Sequence, residues 1–172
     1  MKRAAAEDVG RREGRLHADA AAVPTPRVLA IHWRRGDFLK MHSGVDRVCE
    51  DEISGAKLPA CTNEPVLKGP KELAAVAKAA MAEHNCTVVF LATNAKEAEL
   101  KELTWLLDGV HLARYTPPAT SPFNNQAHFA VVDSLISARA DAFLGTRRSM
   151  FTQTIFEERI LFGHAPSSGR YM

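Results

Sequence analysis

Thr87-Val88-Val89-Phe90-Leu91-Ala92-Thr93 is an apolar run closed by a threonine at each end, with no charge and no alternation of polarity. Alternation would mark a strand with one wet face, whereas a continuous β-branched and aromatic run marks a strand covered on both faces. The flanking segments agree. Upstream, Pro70 suits the first turn of a helix, and Leu73, Val76, Ala77, Ala80 and Met81 then form one apolar stripe. Downstream, Asn94 is a candidate helix cap with Glu97 three residues on, followed by Leu100, Leu103 and Leu107. A buried strand between two amphipathic helices is the repeating unit of a parallel sheet, whose neighbouring strands can be joined only by crossovers.

The same alternation extends in both directions. Arg27-Val28-Leu29-Ala30-Ile31-His32 has the length and composition of a buried strand. Residues 41–70 hold Gly, Pro, Cys and mixed charge without periodicity, and read as a long surface loop. Val110–Tyr115 predicts a strand ended by Pro117-Pro118, Gln126–Arg139 a helix, and Ala140–Gly145 a strand, with a last helix beginning near Ser149. The order predicts an α/β fold: a Rossmann-like parallel sheet with helices on both faces, spanning residues 27–172. Residues 1–26, rich in Ala, Arg, Asp and Glu and ending in Pro24-Thr25-Pro26, read as a charged arm. Ligands of such sheets sit at the carboxyl ends of the strands, which directs attention to the residues after His32, Thr93, Tyr115 and Gly145.

Composition narrows the function classes. A chain of 172 residues that is 46% hydrophobic and 24% charged is a globular domain of ordinary size. Its net charge of +2, spread along the chain, argues against nucleic acid as a partner. No apolar run is long enough to span a membrane, and the first residues lack the apolar centre of a signal peptide. Cys49, Cys61 and Cys86 fit no zinc spacing; Cys49 and Cys61 bracket a loop and suit either a disulfide in an oxidising lumen or two free thiols. Asn85-Cys86-Thr87 meets the N-glycosylation rule. A Gly-rich dinucleotide fingerprint and a P-loop are both missing, which argues against NAD and ATP.

Three features bear chemistry. The first strand runs into His32-Trp33-Arg34-Arg35-Gly36-Asp37-Phe38. Adjacent arginines at a strand end are costly to place without an anion, and the guanidinium fork matches phosphate oxygens. Arg34 reads as the ligand-facing cation, and Arg35 as either a second one or the partner of an internal carboxylate. Asp133 lies on the side of its helix marked by Phe129, Val132 and Ile136. There a carboxylate either sits at the edge of the stripe and reaches water, or needs a buried arginine, free amides, or a ligand with two adjacent donors such as guanine. Gly145-Thr146-Arg147-Arg148-Ser149-Met150-Phe151-Thr152 joins a strand to a helix, whose unpaired amides are a natural phosphate seat with Ser149 as candidate cap.

Together these segments resemble one family. His32 to Phe38, Phe90-Leu-Ala-Thr-Asn-Ala95, Val132-Asp133, Phe143-Leu-Gly-Thr146, Ser149-Met-Phe151 and Glu157-Glu158-Arg159 followed by Gly163 are similar to the C-terminal half of the protein O-fucosyltransferases. The branch that modifies thrombospondin type 1 repeats is the nearest. The resemblance implies one lobe of a GT-B glycosyltransferase that binds GDP-fucose as donor, with no cofactor and no obligatory metal. His32, Trp33 and Arg34 would contact diphosphate and fucose, Asp133 the guanine, and Ser149, Met150 and Phe151 the nucleotide at the last helix. Met150 stands where the family often has a small hydroxyl residue. Arg34 would be the catalytic cation of an inverting transfer to Ser or Thr of a folded protein acceptor, in the lumen of the endoplasmic reticulum or Golgi.

The family's general base, a glutamate on the other lobe, has no match in this chain. If the chain turned over alone, Glu50, Asp51 and Glu52 in the long loop are where a base would be sought. Two readings therefore stand: the donor-binding half of a peptide O-fucosyltransferase, favoured by the His-x-Arg motif, and a non-catalytic nucleotide-sugar-binding or partner module, favoured by the missing lobe and missing signal.

Overall fold

The computed structural model describes residues 25–36, 38–41, 45–50, 57–65, 67–122 and 124–172. The arm ahead of Thr25, Asp37, Asp51 and Glu52 lie outside the described residues, as do the side chains of Cys49 and Glu50. In chain order the elements are β1 (Val28–Trp33), α1 (Phe38–Met41), β2 (Val45–Glu50), β3 (Lys57–Pro65), α2 (Pro70–His84) and β4 (Val88–Thr93). There follow α3 (Glu97–Leu106), β5 (His111–Ala113), α4 (Gln126–Arg139), β6 (Ala142–Gly145), α5 (Met150–Leu161) and β7 (Gly169–Tyr171), the last preceded by a 3₁₀ turn at Pro166–Ser168.

Five strands form one sheet in the order β5-β4-β1-β6-β7. Every pairing in it is parallel: Val28 lies opposite Val88 and Trp33 opposite Thr93 on one side of β1, and His32 lies opposite Gly145 on the other. The chain builds outward from β1 to one edge, then returns to build the other. This doubly wound order opens a crevice at the carboxyl ends of the central strands.

The period of two splits the core into two layers. Leu29, Ile31 and Trp33 of β1, with Val89 and Leu91 of β4, pack against Leu73 and Ala77 of α2 and Leu100 and Leu103 of α3. The intervening Ala30, Phe90, Ala92 and Phe143 face Ile155 of α5 and the half-buried Ile136 of α4. Each fully buried large aliphatic side chain contributes about 1.5–3 kcal/mol. Residues 32 and 33 must therefore point to opposite layers.

The structure differs from the sequence pattern in several places, among them the short helix Phe38–Met41, the strand His111–Ala113 in place of the expected Val110–Tyr115, and the edge strand Gly169–Tyr171. The stretch expected as a long loop over 41–70 contains an antiparallel ribbon of β2 and β3, with Val45 opposite Pro65 and Val48 opposite Thr62. Both strands of a two-stranded ribbon are edges, where proline is tolerated, so Pro59 and Pro65 misled the reading. Strand β6 begins at Ala142 rather than Ala140, because Ala140 caps α4 and Asp141 accepts the Val28 N–H at 2.8 Å. Helix α3 is capped at Lys96 rather than Asn94: the Asn94 side chain is taken by Arg35, and Glu99 accepts the Lys96 N–H at 3.1 Å. The buried face of α4 is Ser134, Ser137 and Ala138, which leaves Asp133 at its edge, half-buried.

Candidate functional site

At the carboxyl end of β1 the backbone is laced on both sides. Thr146 Oγ1 donates to the His32 carbonyl at 2.8 Å and accepts the Arg34 N–H at 2.9 Å. From the β4 side, Thr93 Oγ1 donates to the Trp33 carbonyl at 2.5 Å, and Asn94 Oδ1 accepts the Arg35 N–H at 2.7 Å. Four consecutive residues are thus fixed by side chains of the two neighbouring strand ends, which satisfies backbone groups that the sheet has ceased to pair.

The four side chains then part. Trp33 enters the α2/α3 layer, where it is 1% exposed and its indole N–H donates to the Lys68 carbonyl at 2.9 Å. Arg35 is buried too, its Nε donating to Glu99 Oε1 at 2.8 Å while its guanidinium stacks 5.3 Å from the Trp33 ring centre. His32 and Arg34 face the opposite side and line a cleft of about 580 Å³. Thr93 and Asn94 at the end of β4, Gln126, Phe129 and Asp133 of α4, and Phe151 of α5 complete its lining. The volume lies within the range of small-molecule sites.

The cleft holds groups of both charges. His32 is 4% exposed, and burial followed by the Arg34 charge lowers its pKa to about 3, so the ring is neutral at physiological pH. Its Nδ1 lies 2.6 Å from Thr152 Oγ1, and Phe151 stands edge-on at 4.8 Å between centroids. Burial raises the Asp133 carboxyl to about 6 against an opposing pull from Arg114. The cleft therefore carries a cation at Arg34 and a carboxylate at Asp133, with the rings of Phe129 and Phe151 also in its lining. The amino terminus of α5, whose first amides have no helical partner, reaches the cleft through Phe151 and the Thr152 contact to His32.

Of the residues marked by the sequence, His32, Arg34, Asp133 and Phe151 come together here. Trp33, Ser149 and Met150 are not among the lining side chains. Trp33 belongs to the core by the alternation of β1; Ser149 occupies the cap position of α5, buried and without a side-chain cap bond; Met150 is 72% exposed. Gln126 carried no sequence signal as a lining residue, Phe129 was marked only as an apolar position of its helix, and Thr146 and Thr152 only as members of the strand-to-helix motif, without a bracing role. Among the described residues no group of three His, Cys, Asp or Glu is placed to hold a metal ion, and no helix is long and apolar enough to cross a membrane. Cys61 is disulfide-bonded, Cys86 is a free buried thiol, and Asn85 is exposed.

The family model for GDP-fucose protein O-fucosyltransferase matches residues 11–162. The chain belongs to that family. It is 32% identical over 142 residues to the GDP-fucose protein O-fucosyltransferase 2 of Drosophila melanogaster, covering 81% of this chain and 25% of that protein. The Caenorhabditis elegans protein of the same name is 29% identical over 136 residues, 78% of this chain and 26% of its own length. The chain thus spans about a quarter of these curated relatives. Among solved structures, POFUT1 in complex with GDP-fucose superposes with a TM-score of 0.61 at 16% identity, covering 96% of this chain and 46% of POFUT1. A GDP complex of POFUT1 gives a TM-score of 0.62 at the same identity and coverage. These likenesses show that this chain has the fold of about half of POFUT1.

Proposed function

We propose that this chain is the donor-binding half of a peptide O-fucosyltransferase, holding GDP-fucose in the cleft between β1, α4 and α5. The observation that supports it is the presence of opposite chemistries in one cleft: Arg34 and Asp133 both line it, together with Phe151 from the first turn of α5. A guanine offers two adjacent N–H donors to a carboxylate, and a diphosphate offers oxygens to a guanidinium fork and to helix amides. Family membership adds the sugar, since fucose is the group that the family name attaches to the GDP.

In the reaction, the hydroxyl oxygen of a protein Ser or Thr attacks the anomeric carbon of fucose from the face opposite the leaving group. The bond between that carbon and the β-phosphate oxygen breaks, its electron pair staying with GDP, and configuration inverts. Negative charge grows on the diphosphate as the bond breaks, and Arg34 stabilises it there more than in the ground state. The acceptor's proton must leave to a base, and the only carboxylate among the described lining residues is Asp133, assigned to the guanine. That observation favours a second protein lobe as its source, and the chain alone as a binder. The acceptor is read as a folded thrombospondin type 1 repeat and the compartment as the secretory lumen, from the relatives' branch of the family. Calorimetry with GDP, ADP and UDP tests the donor assignment: GDP is expected to bind more tightly than both, and equal affinities would overturn it.

A further inference from the structure

We propose that Thr152 is a positioning residue for the donor's diphosphate: its hydroxyl donates to His32 Nδ1, which places the ring's one N–H on Nε2, toward the anion. The inference rests on the reading of the cleft as a GDP-fucose site. Its geometry starts from the 2.6 Å separation between Thr152 Oγ1 and His32 Nδ1, a buried contact between residues 120 apart in the chain. A neutral imidazole has one donor nitrogen and one acceptor, and the partner at Nδ1 decides which is which. The direction of this single hydrogen bond therefore sets what the cleft receives from Nε2.

The helix decides the direction. Thr152 is 0% exposed, so its hydroxyl proton needs a protein acceptor. Helical threonines commonly send that proton to the carbonyl four residues back, and Thr104 and Thr154 do so, at 2.8 Å to Leu100 and 3.1 Å to Met150. Four residues before Thr152 is Arg148, which precedes α5 and has a left-handed φ of 57°. No such back-bond joins Thr152 to it among the described residues, and Nδ1 is the acceptor within reach. If Nδ1 carried the proton instead, the threonine proton would be buried without a partner and the Nε2 lone pair would face the donor's phosphate oxygens. Both consequences are unfavourable.

The approach itself depends on Gly145, which pairs with His32 across the sheet. A Cβ there would stand 2.2 Å from Thr152 Cγ2, so only glycine lets α5 bring its threonine down onto the ring. Burial and the Arg34 charge keep the ring neutral, and so the tautomer question persists across the physiological range.

The test uses the full chain labelled with ¹⁵N, with imidazole tautomers read from long-range proton–nitrogen correlations at pH 7.5 and His32 assigned by its loss in His32→Gln. The wild type is expected as the Nε2–H form without any ligand. Thr152→Ser keeps that form; Thr152→Val, isosteric but unable to donate, moves toward Nδ1–H. In titrations, Thr152→Val should lower the ratio of GDP to guanosine affinity about threefold to tenfold, the worth of one neutral hydrogen bond, with Ser restoring it. An Nδ1–H wild type overturns the proposal, as does a valine variant with unchanged tautomer and unchanged ratio. If the valine variant does not fold, the wild-type and serine spectra decide. A wild type that binds no GDP removes the diphosphate role with the donor reading, while the ligand-free spectrum still passes judgement on the threonine's hold over the ring.

Discussion

Arg35 is bound to Glu99 of α3 through two guanidinium nitrogens, while Arg34, its neighbour in sequence, faces the cleft. Burial pushes the Glu99 carboxyl up, but the hydrogen bonds from Arg35 and from the Lys96 backbone outweigh it and hold its pKa below the usual value. The two arginines therefore have separable roles. Arg34→Ala is expected to lower GDP affinity about tenfold to a hundredfold, the worth of a charge-assisted bond of about 1.5–3 kcal/mol. Arg34→Lys should recover only part, since it keeps the charge and loses the planar fork. Arg35→Ala should act on stability first, lowering Tm by several degrees. Paired calorimetry and thermal melts check this; a greater loss of GDP affinity in Arg35→Ala than in Arg34→Ala would reverse the assignment.

If Asp133 holds the guanine as proposed, base recognition depends on pH. Its folded pKa of about 6 lies above the ordinary aspartate value, so protonation between the two favours the folded state. The stabilising contribution is full below the unfolded pKa and is lost as pH rises through about 6. Asp133→Asn, which never ionises, should thus melt higher than the wild type at pH 7.5, with the difference shrinking by pH 5. Binding runs the other way, because guanine needs the carboxylate. Guanosine is the useful probe, as the terminal phosphate of GDP titrates in the same range. Wild-type affinity for guanosine should fall between pH 7.5 and 5.5 and that of Asp133→Asn should stay low at both; a flat wild-type profile would remove Asp133 from the base pocket.

Gly145→Ala tests the contact between sheet and helix. The added methyl would overlap Thr152 Cγ2, and overpacking of this kind costs about 1–3 kcal/mol. Thr152→Ser deletes the Cγ2 methyl and keeps the hydroxyl. The double variant should regain part of the Tm lost by Gly145→Ala alone, a coupling that thermal melts of all four proteins in the cycle measure directly. Additive losses would place the strain elsewhere.

How much of this was legible in the sequence depends on what each residue faces. Val28–Trp33 and Val88–Thr93 are covered on both sides, so their composition alone marks them as central strands. Gly169–Tyr171 is a three-residue edge strand that one partner holds, too short to leave a pattern. The same alternation that places His32 in the cleft sends Trp33 into the core, a signal the motif's contiguity hid. Arg34 and Asp133 were marked because charge in an apolar setting demands a partner. Thr146 and Thr152 had no such mark: a hydroxyl is unremarkable until the fold brings it to a backbone or a ring more than a hundred residues away.

The last expectation concerns turnover. In the proposed donor complex, Asp133 is the only carboxylate among the described lining residues, and none is left to take the acceptor's proton once it is engaged with guanine. A positioned general base contributes about 10²- to 10⁴-fold, and loss of acceptor positioning can remove more. The chain by itself is therefore expected to give no measurable transfer of fucose to a folded thrombospondin type 1 repeat at saturating GDP-fucose. Slow hydrolysis of GDP-fucose should survive, since water needs less orientation than a protein hydroxyl. The measurement is a radiolabelled-fucose transfer assay, run on the purified chain alone and on the chain fused to the amino-terminal lobe of a full-length relative. Transfer by the fusion only, abolished again by Arg34→Ala, is the expected pattern. Robust transfer by the chain alone would overturn the half-enzyme reading and turn the search for a base to Glu50, Asp51 and Glu52.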